Sequence, residues 1–138
     1  MQPWEFIIVK DKETKKEIAF AAQNQRFIAD APVVIVACSD PRRSWMHTRG
    51  IPSGVGWENV HIQDVSAAIQ NMLLTAHSMK LGSCWIGAFR EEEIKEILEV
   101  PKEIKILAII PIGYPDEDPL PPPRYLLDRV THINKWTG

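Results

Sequence analysis

The chain has 138 residues, enough for one hydrophobic core and too few for two. Hydrophobic residues make up 45% and charged residues 25%, and a net charge of -2 leaves no basic footprint for nucleic acid or an anionic membrane. Met1-Gln2-Pro3-Trp4-Glu5 lacks the basic start and apolar run of a secretory signal, and two cysteines, Cys38 and Cys84, make no disulfide framework, so a cytoplasmic protein is expected.

Phe6-Ile7-Ile8-Val9 predicts a strand that stops at the charged Lys10-Asp11-Lys12-Glu13. Residues 14–23 predict a helix, with Ile18, Ala21 and Ala22 at helical spacing. Val33-Val34-Ile35-Val36-Ala37-Cys38 follows Pro32 and is continuously apolar and β-branched, the pattern of a buried central strand. Residues 39–57 are irregular, with Pro41, Gly50, Pro52, Gly54 and Gly56. So long an irregular run inside a compact domain is usually a functional lid.

Residues 59–81 predict one long helix with Gly82 as its C-terminal stop. Apolar residues occupy most of its circumference, which predicts a central pillar, about 33 Å long, buried between other layers. Gln63, Asp64, Gln70, Asn71, His77 and Lys80 make the same stretch too polar to span a bilayer. Ser83-Cys84-Trp85-Ile86-Gly87 predicts a short strand running into a turn. Residues 91–99 predict an amphipathic helix with Ile94, Ile97 and Leu98 inward, closed by Val100-Pro101. Ile106-Leu107-Ala108-Ile109-Ile110 predicts a third buried strand, ended by Pro111 and Gly113.

Prolines 115, 119, 121, 122 and 123 then make an extended, semi-rigid arm. Beyond it the tail regains Leu126, Leu127, Val130, Ile133 and Trp136. An apolar tail after a stiff arm must bury itself beyond the parent sheet, and a partner subunit is the natural place. Residues 115–138 are therefore expected to pack on a second subunit.

Several motifs carry no chemistry. Cys38-Ser39-Asp40-Pro41-Arg42-Arg43 has Ser44 where the phosphate loop of cysteine phosphatases needs an arginine, so Cys38 reads as a buried structural thiol. The glycine-rich residues 50–56 lack the Gly-Lys-Ser/Thr ending of a triphosphate loop. His61 and Asp64 share a helix face without a second such pair, which favours a helix-end hydrogen bond over a metal site. Two features remain. Gly82 and Gly87 bracket a short apolar run, and Gly87 lets backbone approach a flat ligand. Pro121-Pro122-Pro123-Arg124 presents a planar, permanently charged group suited to phosphate on a stiff support.

Three segments, in order along nearly the whole chain, resemble the nitroreductase family of FMN-dependent NAD(P)H oxidoreductases. They are Gln2-Pro3-Trp4-Glu5-Phe6-Ile7-Ile8-Val9, the helix from Asp64 to His77 running into Leu81-Gly82-Ser83-Cys84-Trp85-Ile86-Gly87, and the Pro-Pro-Arg arm ending in Asn134-Lys135-Trp136. The resemblance implies a single α+β domain over residues 1–138, with a mostly antiparallel sheet flanked by helices and a long central helix. It implies that backbone at Trp85, Ile86, Gly87 and Ala88 faces the isoalloxazine ring, with one amide bonded to the ring N5. Arg124 would hold the FMN phosphate, and Gln2 and Pro3 would edge the ring and ribityl chain. A homodimer with the cofactor at its interface is implied as well.

The reaction implied passes electrons from NAD(P)H to nitroaromatic, quinone or similar electron-poor acceptors. The alternatives are another flavin reaction, dehalogenation or flavin fragmentation, and a non-catalytic truncated fragment. No side-chain acid or base is required, so no catalytic residue is named. Trp45, His47 and Trp57 of the lid are expected to stack on planar substrates. Family members carry an N-terminal helix with an Arg-rich phosphate motif, a dimerisation segment and Ser/Asn flavin contacts ahead of Gln2-Pro3-Trp4. The chain is expected to be N-terminally truncated relative to them.

Overall fold

The structure, a computed structural model, describes residues 2–44, 49 and 59–137. Strands β1 (Trp4–Val9), β2 (Val33–Ser39), β3 (Gly82–Ser83) and β4 (Lys105–Gly113) form one antiparallel sheet in the order β1-β2-β4-β3. Helices α1 (Lys12–Ala21), α2 (Phe27–Asp30) and α4 (Glu91–Leu98) pack on one face and α3 (Val60–Ser78) on the other. The expected α+β arrangement, an antiparallel sheet flanked by helices with one long helix, is what the chain forms.

Alternation along the strands sorts the core. Val34, Val36 and Cys38 of β2 join Ile18, Ile28, Ile94, Ile106 and Ile109 beneath α1, α2 and α4. Ala37 and Ala108 join Ile110, Val65 and Ile69 beneath α3. Ile106 and Ile109 lie three apart, so strict period-two alternation would put them on opposite faces. A register shift between Ala37 and Cys38 leaves Leu107 as the extra residue and returns Ile106 to the Ile109 face.

Local chemistry sets the helix ends. Asp11 caps α1 by accepting from the Thr14 amide at 2.8 Å, which starts the helix two residues earlier than residue 14. Helix α3 ends at Ser78, and its stop is Lys80, at φ 60°, with the Leu81 amide reaching back to the Ala76 carbonyl at 2.9 Å. Gly82 is instead the first residue of β3, and a Cβ there would lie 3.3 Å from the Pro115 Cα.

The expectation of a helix buried all round needs correcting. His61, Val65, Ile69 and Ala76 form one buried stripe, while Leu74 is 58% and Met79 65% exposed in the single chain. The predicted strand over residues 83–87 also shrinks to Gly82–Ser83 plus a lone bridge between Ile86 and Ile109. Strand β4 runs on through Pro111, which faces the same edge as Ile109. That edge is unpaired between Ser83 and Ile86, so the missing proline N–H costs no ladder bond.

Candidate cofactor site

Gly87 lies just past the bridge that ties Ile86 to β4. The Ile86 amide donates to the Ile109 carbonyl and the Ile86 carbonyl accepts from the Ile109 amide, both at 3.0 Å, so the polar backbone groups of the buried Ile86 are committed. Its neighbours differ. Cys84, Trp85, Gly87 and Ala88 are exposed, and among the described residues the amides of Trp85, Gly87 and Ala88 have no hydrogen-bond partner. A Cβ built on Gly87 would meet nothing within 4 Å. The segment thus presents N–H donors that are unpaired among the described residues, beside a surface where a flat group could lie. Of the four residues expected there, Trp85, Gly87 and Ala88 present donors, and Ile86 anchors the segment.

Anchoring continues behind the segment. Arg90 donates its backbone amide to Ala21 at 3.0 Å and its Nη2 to the Phe20 carbonyl at 3.1 Å, and it ion-pairs with Glu93. Its guanidinium lies 5.2 Å from the centre of the Phe20 ring. Glu91 accepts the Ile106 amide at 3.0 Å and pairs with Lys95 at 3.2 Å. Helix α4 is therefore tied to the sheet and holds the end of the 84–88 segment in place.

The other expected site residues lie elsewhere in the single chain. Gln2 is exposed, whereas Pro3 is buried and its carbonyl accepts the Asp40 amide at 2.8 Å. Both precede β1, on the sheet edge opposite Ile86. Three strand spacings put them about 14 Å across the sheet from the Gly87 segment. Arg124 stands on the arm with Tyr125, Leu126, Arg129 and Val130 around an open depression of about 570 Å³. One chain keeps Gln2 and Pro3 apart from the Gly87 segment. The lid residues Trp45, His47 and Trp57 lie outside the described residues.

Two polar clusters, each with a buried member, had no local signature in the sequence. His61, in the first turn of α3, shares a 2.8 Å hydrogen bond between its Nδ1 and the Oγ of Ser39, and both side chains are buried. Burial, then the charge of Lys105, pushes the imidazole below its ordinary range. Asp40 is gripped by Arg42 through Nε at 2.8 Å and Nη2 at 2.9 Å, which holds its carboxyl below the usual range. Arg43 reaches the Trp4 carbonyl and ion-pairs with Glu5. Arg43 thus ties the segment after β2 to β1, and Arg42 ties Asp40 to Glu103 ahead of β4. Cys38 is the expected buried thiol, pushed by burial to about 11. No group of three or more metal-ligating side chains occurs among the described residues, nor a helix long and apolar enough to cross a membrane.

The nitroreductase family model matches residues 19–114, from within α1 through the sheet to the start of the arm. The chain belongs to the nitroreductase family. Among relatives, a Methanothermobacter thermautotrophicus protein provisionally named NADH dehydrogenase/NAD(P)H nitroreductase is 34% identical, over 98% of this chain and 66% of the relative. The NADPH-flavin oxidoreductase of Vibrio harveyi is 31% identical, over 99% of this chain and 58% of that protein. The solved structure of the Vibrio harveyi NADPH:FMN oxidoreductase with NAD+ superposes with a TM-score of 0.83 at 28% identity, covering 99% of this chain and 61% of that one. The chain thus spans less than two thirds of these nitroreductase-family relatives.

Proposed function

We propose that this chain is part of an FMN-dependent oxidoreductase that passes electrons from NAD(P)H to nitroaromatic, quinone or similar electron-poor acceptors in the cytoplasm. The observation that carries the proposal is the Gly87 segment, whose amides at Trp85, Gly87 and Ala88 are unpaired among the described residues and border a surface where a Cβ would meet nothing within 4 Å. Relatives named FMN reductase and NADPH-flavin oxidoreductase support the cofactor and add free flavin as an acceptor class.

When bound, FMN would supply the hydride and electron chemistry, and the protein would supply position and electrostatics. Donors at Trp85, Gly87 and Ala88 would orient the ring edge and favour negative charge developing there. The Ile86–Ile109 bridge would keep those donors from rotating away. Arg124 would meet the phosphate. Gln2 and Pro3, on the opposite sheet edge, would complete the seat from a second copy, with residues 115–138 packed on that partner. A homodimer accounts for both the divided site and the exposed arm.

The test is the visible spectrum of dialysed protein with and without equimolar FMN, followed by NADH and NADPH oxidation with menadione or nitrofurazone. A flavin band that survives dialysis, with acceptor-dependent turnover, is the expected result. A protein that never retains FMN would refute the proposal for this chain.

A further inference from the structure

We propose that Arg129 joins Arg124 as a two-cation seat for a phosphomonoester dianion, a role that rests on the flavin reading above. The short 3-10 turn Leu127–Arg129 reverses the arm, closed by the Arg129 amide to Leu126 at 3.0 Å and the Val130 amide to Leu127 at 3.2 Å. Thr131 Oγ1 donates to the Leu127 carbonyl at 2.6 Å and fastens the same turn. The reversal brings two arginines five positions apart onto one depression, with Tyr125, Leu126 and Val130 between them. Asp128 does not line it.

The pair, like Arg26, carries no carboxylate partner among the described residues, whereas Arg42, Arg43 and Arg90 each sit on one. Two like charges facing one depression repel, and that arrangement becomes favourable when a dianion lies between them. A phosphomonoester carries about -1.5 to -2 near neutral pH and offers three acceptor oxygens, so one guanidinium leaves charge unmatched and two match it. Prolines 121–123 hold Arg124 and the 3-10 turn holds Arg129, so little freedom is lost on binding.

Two sources share this chemistry, the 5′-phosphate of FMN and the 2′-phosphate of NADPH. Arg129→Gln and Arg129→Lys should melt like the parent, because the residue is exposed and its side chain has no hydrogen bond or ion pair among the described residues. FMN and riboflavin affinities by flavin fluorescence, and KM for NADPH and NADH, then separate the sources. With the FMN phosphate as ligand, Arg129→Gln weakens FMN about tenfold or more, leaves riboflavin unchanged, and Arg129→Lys recovers part of the loss. With the NADPH phosphate as ligand, KM for NADPH rises while NADH and FMN are unaffected. Unchanged FMN/riboflavin and NADPH/NADH ratios overturn the seat and leave the flavin reading standing. Parent protein that binds neither FMN nor riboflavin overturns both.

Discussion

The body of the chain and its arm obey opposite rules. Through β4, large apolar side chains such as Ile18, Ile28, Ile69, Ile94, Ile109 and Ile110 are fully buried on one face of the sheet or the other. After β4, Tyr114 is 88% exposed, Leu120 91%, Tyr125 84%, Ile133 84% and Trp136 76%. The body buries most of its large apolar side chains, with Ile8, Phe20, Leu74 and Met79 left exposed in the single chain, whereas the arm leaves nearly all of its own exposed. So many exposed large apolar side chains in one segment are what an interaction surface carries. The divided candidate site fits the same division, because Gly87 and Gln2 sit on opposite sheet edges and the arm carries Arg124.

The contrast is sharpened first by paired truncations. Ile109→Ala in the body should cost about 2–5 kcal/mol, whereas Ile133→Ala in the arm should shift the melt of the monomer by less than about 0.5 kcal/mol. Denaturant unfolding of both, with sedimentation to follow association, checks this. Equal losses in the monomer would mean that the arm folds onto its own body. Next, Gly113→Ala places a Cβ 2.7 Å from Pro32 Cδ, against a ring that cannot swing aside. A loss of about 1–3 kcal/mol is expected, and a neutral result would show that this strand end is loose. Glu91→Ala strips the Ile106 amide of its acceptor, and a comparable loss of about 1–3 kcal/mol is expected.

The smallest effect is the pH dependence from His61. Its folded pKa lies below the ordinary 6.5, so the unfolded chain binds the extra proton more readily. Stability from this group is full above about pH 6.5 and falls as the pH drops from there toward the folded value. His61→Gln should flatten that part of the stability curve, measured by urea midpoints across pH 5 to 7.5. An unchanged slope would place the pH dependence on other groups.

Much of the fold was legible because its signals are local. Val33 to Cys38 read as a central strand from its β-branched run, and α3 from an interior free of Gly and Pro. What failed depended on partners distant in sequence. The Leu107 irregularity, the Ser39–His61 bond and the Glu91–Ile106 bond join residues that no short-range pattern relates. The apolar circumference of α3 was read correctly as composition, yet burial depends on what covers it, and one chain covers a single stripe. At the candidate site, Gly87 was legible as a place of close approach. That Ile86 would be committed to Ile109, leaving the donors to its neighbours, was not, because that bond follows from sheet pairing.

In the proposed function, Gly87 keeps a surface open for FMN and is dispensable for the fold. Gly87→Val tests it most directly, by FMN titration alongside a thermal melt. A melting temperature within a few degrees of the parent and FMN affinity reduced about tenfold or more are expected. Full FMN affinity in Gly87→Val would contradict the account and move the cofactor away from this segment.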